Sequence, residues 1–179
     1  MPSYSIIENF EVHKNNRFLE IAEALKPELL HKEIKAEKEI MVGKDRQMRT
    51  VITEEHPIEN LYAKYLKRDD TVFVDFGDHA VGYVTLELSK TGSHQDAPVY
   101  FYLKFGERLE EMTDKTADYD GWLSRCWIQE EYIHVDVLPA KVKLPRRYSF
   151  RYMELRVIDT SAKFQLKIDG ISCDTVSAV

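Results

Sequence analysis

The sequence predicts a mainly β fold, an antiparallel β-sandwich, with one helix near the N-terminus. After residue 49 the chain holds about seven short runs rich in Val, Ile, Tyr, Phe and Thr, many of which alternate apolar and polar residues. Turn-forming segments separate these runs, and no helical pattern alternates with them. Short strands with regular turns between them are typical of a sandwich or a barrel.

The helix is predicted within residues 16–26. Apolar residues recur there at helical spacing: Phe18, Ile21, Ala22 and Leu25. Asn16 is the candidate N-cap, and Pro27 should stop or kink the helix. Residues 28–40 fit either another helical turn or an extended linker, and both alternatives stay open at this point.

Length and composition indicate one globular domain. The chain has 179 residues, of which 44% are hydrophobic and 31% charged. We expect residues 1–45 to form the helix and a linker segment, and residues 46–179 to form the sandwich. The net charge of −6 disfavours nonspecific binding to nucleic-acid phosphates.

The cysteines and the N-terminal residues bear on the cellular compartment. Cys126 and Cys173 are too few for a disulfide framework, so we expect two reduced and mostly buried thiols, or one bridge if the chain is secreted. No basic segment followed by an apolar run opens the chain, and no window is apolar over a membrane-spanning length. Localisation stays unknown, with the cytoplasm favoured.

The stretch VFVDFGDHAVGYVTLEL holds two glycines at the spacing of a phosphate loop. The Lys-Ser/Thr pair of such a loop is missing, and a strand pattern follows where a phosphate loop has a helix. We therefore interpret the stretch as a structural element and not as a binding site. Gly77 should permit a sharp turn, and Gly82 should let the next strand approach a neighbour closely.

The segment TADYDGW is the candidate for ligand binding. Trp122 and Tyr119 could stack on the apolar face of a sugar, with Asp118 and Asp120 beside them as hydrogen-bonding groups. The two aspartates also suggest a calcium loop, but the EF-hand positions for ligands 1 and 12 would be occupied by a threonine and a tryptophan. We predict a polar turn there, and we place Trp127 in a strand of the core.

No cofactor or metal site can be identified from the sequence. The six histidines are dispersed and none forms an H-x-x-x-H pair. Glu107 and Glu111 could supply the paired carboxylates of a glycosidase if the segment GERLEE is extended. A solvent-facing position is the simpler interpretation for both.

Three segments in register resemble the bacterial α-L-rhamnosidases. VDFGDHAVGYVTLEL, which includes Asp75, resembles a segment of the concanavalin-like β-sandwich that precedes their catalytic barrel. YLKFGERLEE resembles the following strand and turn, and FRYMELRV resembles the final strand. The last segment carries Arg151, Tyr152 and Glu154 at matching positions, where a buried Arg–Glu pair is expected.

The resemblance implies a jelly-roll or concanavalin-like sandwich without catalytic residues of its own. Hydrolysis in this family uses acidic residues on a separate (α/α)₆ barrel, so the chain is expected to be a non-catalytic accessory domain with that barrel as its partner. The apolar ending DGISCDTVSAV leads us to expect a piece of a larger glycosidase or a chain that has lost its barrel. A brace of this kind should carry an exposed apolar patch.

Two other functions remain open. The chain could be a stand-alone carbohydrate-binding module that uses Trp122 and Tyr119. It could also be a small glycosidase in which Glu107, Glu111 or Asp120 acts on a sugar.

Overall fold

A computed structural model describes residues 13–177 and confirms the mainly β, antiparallel fold with an N-terminal helix. Residues 1–12 of the predicted N-terminal segment lie outside the described residues. Within residues 13–177 the elements are, in chain order, α1 (Asn16–Ala24), β1 (Leu30–Lys35), β2 (Lys38–Lys44), β3 (Thr50–Pro57), α2 (Ile58–Tyr62), β4 (Thr71–Gly92), β5 (Val99–Gly106), β6 (Glu130–Val135), β7 (Ala140–Lys143), β8 (Tyr148–Asp159) and β9 (Phe164–Ser177). None of the helices in this part of the chain is long and apolar enough to cross a lipid bilayer.

Helix α1 forms where it was predicted and ends before Pro27. Its N-cap is Asn15, not Asn16, because the Asn15 side chain accepts a hydrogen bond from the Arg17 amide at 3.0 Å. No residue of this helix is buried.

The residues that follow helix α1 adopt the extended alternative. Strand β1 pairs with β9, and β2 pairs with β3 and β4, so residues 30–44 are part of the sheet. The division between residues 1–45 and 46–179 stays a prediction, and it would separate β1 and β2 from the strands that they pair with.

Strand β4 carries the chain across both layers of the sandwich. Its first part, residues 71–75, pairs with β2 and β8. Its second part, residues 82–92, pairs with β9, and four of those residues also pair with β7. Gly77 lies between the two parts with φ of 80°, a backbone conformation that favours glycine. The predicted strand, corner and strand are therefore one long strand with an irregularity between Asp75 and Ala80.

The larger of the two apolar clusters among the described residues forms the core of the sandwich. It combines side chains from both parts of β4 with those of β5, β8 and β9. An aromatic group lies within it: Phe76, Phe105, Tyr148 and Phe150. At Gly82, a Cβ atom would lie 2.2 Å from the carbonyl oxygen of Asp174, so the close approach of β4 to β9 requires glycine there.

The two cysteines differ in their environment. Cys173 is buried and Cys126 is exposed, and both are free thiols. The expectation of a buried Cys126 is wrong, because residues 120–127 lie at the surface. Cys173, the buried thiol, lies on β9.

We expect iodoacetamide at about pH 8 to modify Cys126 and leave Cys173 unmodified in the folded protein. Burial raises the pKa of the Cys173 thiol to about 11, and only the thiolate reacts. Peptide mass spectrometry identifies the modified residue. The variant Cys126→Ser should show no native modification and regain one site in guanidinium. Modification of Cys173 in the folded variant would contradict the expectation.

Candidate functional site

The connection between β5 and β6, residues 107–129, holds the four residues predicted to bind sugar. We call it the 107–129 segment. Its backbone is built of three short 3₁₀ turns: Leu109–Met112, Thr116–Asp118 and Arg125–Trp127. A guanidinium N–H of Arg125 donates to the carbonyl oxygen of Tyr119 at 3.1 Å and ties the second turn to the third.

Large apolar side chains project from this segment into solvent. Trp122 is 86% exposed, Trp127 is 75% exposed and Leu123 is 45% exposed. The prediction of a core position for Trp127 is wrong. Ser124 accepts a hydrogen bond from the Cys126 amide and begins a 3₁₀ turn, so the strand starts only at Glu130.

A cleft of about 730 Å³ is bounded by the 107–129 segment and the end of β5. Asp118, Tyr119 and Trp127 contribute to its wall, together with Lys104 and Gln129. Trp122 and Asp120 do not line it. Two of the four residues predicted to bind sugar, Asp118 and Tyr119, therefore lie together in this cleft. The indole beside them is that of Trp127, which was predicted to lie in the core.

Among residues 13–177, no three His, Cys, Asp or Glu side chains come together in an arrangement that could hold a metal ion. This statement includes Asp118 and Asp120 of the 107–129 segment.

Two residues of the rhamnosidase-like motifs, Asp75 and Arg151, form a buried ion pair. Arg151 on β8 donates two hydrogen bonds to Asp75 on β4, each 2.9 Å long. The Asp75 side chain is only 2% exposed, and it also accepts from the Gly77 amide at 2.8 Å. The Arg151 guanidinium lies 5.0 Å from the centre of the Tyr152 ring.

The expected pair of Arg151 with Glu154 is not formed, since strand residues three positions apart point to opposite faces. The actual partner, Asp75, comes from a different strand.

Glu107 and Glu111, the carboxylates of the glycosidase alternative, lie near the end of β5 and accept hydrogen bonds from neighbouring residues. Glu107 accepts a 2.5 Å hydrogen bond from the Ser149 hydroxyl and lies 3.4 Å from Nε2 of His79. The hydrogen bond from Ser149, and secondarily that from His79, holds the pKa of Glu107 below its usual value. A general acid of a glycosidase requires a raised pKa, so this environment disfavours that role. Glu111 accepts a hydrogen bond from the Glu107 amide at 3.0 Å.

The aromatic pairs that join β5 and β6 were not predicted from the sequence. Tyr100 stacks on His134 with ring centres 4.0 Å apart, and Tyr102 lies 5.1 Å from Tyr132. The alternations Tyr-x-Tyr in β5 and Tyr-x-His in β6 were the available signal, because alternate residues of a strand share a face.

These features define the chain as a β-sandwich domain, and comparison with known proteins gives its family. The family model for the glycosyl hydrolase family 78 alpha-rhamnosidase N-terminal domain matches residues 37–175. The chain therefore belongs to that family of rhamnosidase N-terminal domains.

Solved structures give the same result. The rhamnosidase from Klebsiella oxytoca with rhamnose bound is 35% identical with a TM-score of 0.88, and the match covers 93% of this chain and 33% of that one. The chain thus spans about a third of the length of that rhamnosidase. No curated protein matches the chain at a significant level.

Two more distant structures are also similar. The family 78 rhamnosidase of Bacillus sp. GL1 has 17% identity and a TM-score of 0.44 over 61% of this chain and 10% of that one. A low-affinity xylan binding module, CBM86, from Roseburia intestinalis has 11% identity and a TM-score of 0.40 over 83% of this chain and 97% of that one.

Proposed function

We propose that this chain is a non-catalytic accessory domain of an α-L-rhamnosidase-like glycoside hydrolase. Its partner would be a separate catalytic (α/α)₆ barrel of the same natural protein. The domain would act by packing against the barrel and by supporting or shaping its active-site cleft, with no bond chemistry of its own. Family membership and the greater length of the Klebsiella oxytoca rhamnosidase support this proposal.

The observation that carries the proposal is the exposed apolar surface of the 107–129 segment. Trp122, Leu123 and Trp127 lie within six residues of chain and all project into solvent. Exposed large apolar side chains of this kind are unfavourable in water and are typical anchors of protein interfaces. In the proposed arrangement they are covered by the catalytic barrel.

The test uses the natural full-length rhamnosidase and its variant Trp122→Ser/Trp127→Ser. If the two indoles anchor the domain to the barrel, differential scanning calorimetry should show one joint unfolding transition in the parent and separated transitions in the variant. Activity on a chromogenic rhamnoside should fall in parallel. The matched control is Val137→Ser, which removes another apolar side chain, 72% exposed, from a different surface.

A second measurement separates loss of docking from loss of folding. The 179-residue domain with the same two substitutions should retain its own melting temperature, because both side chains are exposed. If the full-length variant keeps a joint transition and full activity, the anchoring role of the segment is wrong.

A carbohydrate-binding module is the second candidate. The cleft with Asp118, Tyr119 and Trp127 favours it, since an indole beside hydrogen-bonding groups is the usual arrangement for stacking on a sugar. Titration with L-rhamnose and rhamnose-containing oligosaccharides should then change the tryptophan fluorescence of the domain, and Trp127→Ala should abolish the change. An unchanged spectrum at tens of millimolar sugar would exclude this candidate.

A further inference from the structure

A second cavity, of about 340 Å³, opens on the face of β5, β6 and β8 that points away from the core. We call it the outer-face pocket. Strand register builds its floor as two rows of three neighbouring residues, which are Tyr132, Tyr102 and Arg156 in one row and Glu130, Lys104 and Glu154 in the other. Residues 112–117 of the 107–129 segment form a wall.

Half of this floor is already fixed by hydrogen bonds. The Tyr102 hydroxyl donates to Glu130 at 2.5 Å, and the Thr116 hydroxyl donates to the same carboxylate. The Lys104 ammonium donates to the backbone carbonyl of Asp114 at 2.5 Å. Burial, together with the contact to Glu130, raises the pKa of Tyr102, so its phenol stays protonated and keeps donating. These contacts hold the wall and the floor in a fixed relation.

The other two charged groups of the floor, Glu154 and Arg156, have no hydrogen-bond partner within residues 13–177. Within residues 13–177, the Glu154 carboxylate accepts no hydrogen bond and forms no ion pair, although Arg156 and Lys104 are near enough to attract it. Over the same residues the Arg156 guanidinium donates no hydrogen bond, and it lies 4.8 Å from the centre of the Tyr102 ring. Glu154 is partly buried, and burial raises its pKa. A partly desolvated carboxylate without donors is costly, and a bound donor would offset that cost.

The chemistry of the lining favours a neutral, polyhydroxylated ligand. Three carboxylates and three cationic side chains line the pocket and balance each other in charge: Asp114, Glu130, Glu154, Lys104, Lys115 and Arg156. A neutral balance gives no net attraction for an anion or a cation. A free acceptor beside a free planar donor matches a pair of neighbouring hydroxyl groups. The Tyr132 ring, 59% exposed, offers an apolar face on the other side of Tyr102 from Arg156.

We propose that the outer-face pocket is a binding site for one neutral pyranose unit of a glycan. Hydroxyl groups of the sugar donate to Glu154 and accept from Arg156, and its C–H face lies against Tyr132. The volume falls in the usual range of small-molecule pockets, roughly 300–1,000 Å³. The site does not include Trp122 or Trp127, and it does not depend on the proposed packing against a barrel.

Nitrogen-15 NMR of the 179-residue domain tests the proposal with L-rhamnose, D-galactose and D-glucose as probes, each raised to about 50 mM, which covers the millimolar affinities typical of weak sites. At least one sugar should cause saturable shifts of the amides of residues 114–117, Tyr132 and 154–156. In Glu154→Gln and Arg156→Met, the dissociation constant should rise at least about tenfold.

Two further variants make the outcome specific. Arg147→Met removes an exposed arginine that does not line the pocket, and it should bind as the parent does. Trp122→Ser should also bind as the parent does, which separates this site from the surface of the proposed function. The proposal is overturned if no sugar gives saturable shifts at the pocket, if binding persists unchanged in both Glu154→Gln and Arg156→Met, or if the shifts centre on Asp118, Tyr119 and Trp127 of the cleft. Circular dichroism confirms that each variant is folded.

Discussion

Replacing Arg151 by methionine should lower the free energy of unfolding by about 3 kcal/mol, the lower end of the cost of breaking a buried ion pair. The change leaves Asp75, 2% exposed, without its two guanidinium hydrogen bonds, and the Gly77 amide is then the one donor to its side chain within residues 13–177. The lower end applies because the Arg151 side chain is 38% exposed, so water can reach this side of the pair. Urea unfolding measures the change.

The reverse substitution and the double variant complete a thermodynamic cycle. Asp75→Leu should cost less than Arg151→Met, because the remaining guanidinium is partly exposed and can be hydrated. The double variant should be more stable than Arg151→Met alone, since no buried carboxylate is left unpaired. A loss below about 1 kcal/mol in Arg151→Met would show that the pair does not hold β4 to β8.

Replacing Phe150 by alanine should cost about 3–5 kcal/mol, the usual range for a buried phenylalanine. Phe150 is fully buried, and its ring meets those of Phe76 and Phe105 edge to face, with centres 4.9 and 5.0 Å away. These rings come from β8, β4 and β5. Removing the Phe150 ring would therefore leave a cavity where side chains of three strands pack together. The midpoint of urea unfolding should fall without a change in slope.

The matched control for Phe150 is another phenylalanine at the surface. Phe18 on α1 is 68% exposed, and Phe18→Ala should change the free energy of unfolding by no more than about 0.5 kcal/mol. A loss under about 1.5 kcal/mol in Phe150→Ala would mean that the aromatic group collapses around the missing ring.

The strands that face the core could be predicted, because burial on one side produces alternation in the sequence. GYVTLEL in β4 and the run around Phe150 in β8 show this pattern and form strands. Strand β1 could not be identified in this way. It is an edge strand with nearly all side chains exposed, so its sequence LHKEIK carries no clean alternation.

The candidate site was predicted only in part, for two physical reasons. Local composition suggested a strand at Trp127, but the Ser124 side chain caps a 3₁₀ turn and places the indole at the surface. Contacts between distant residues leave no local pattern. Asp75 and Arg151 are 76 positions apart, and the register that aligns Glu154 with Lys104 becomes visible only in the folded sheet.

The position of β9 between β1 and β4 has a consequence for the order of events during synthesis. The strand enters the sheet last in sequence, yet it pairs with eleven residues of β4 and with all six of β1. A nascent chain that ends before Phe164 therefore leaves β1 without a partner and one side of β4 open to solvent. Long-range pairing of this kind is slow. We expect the domain to complete its folding only after Ser177 has left the ribosome, and to expose an unpaired strand to chaperones until then.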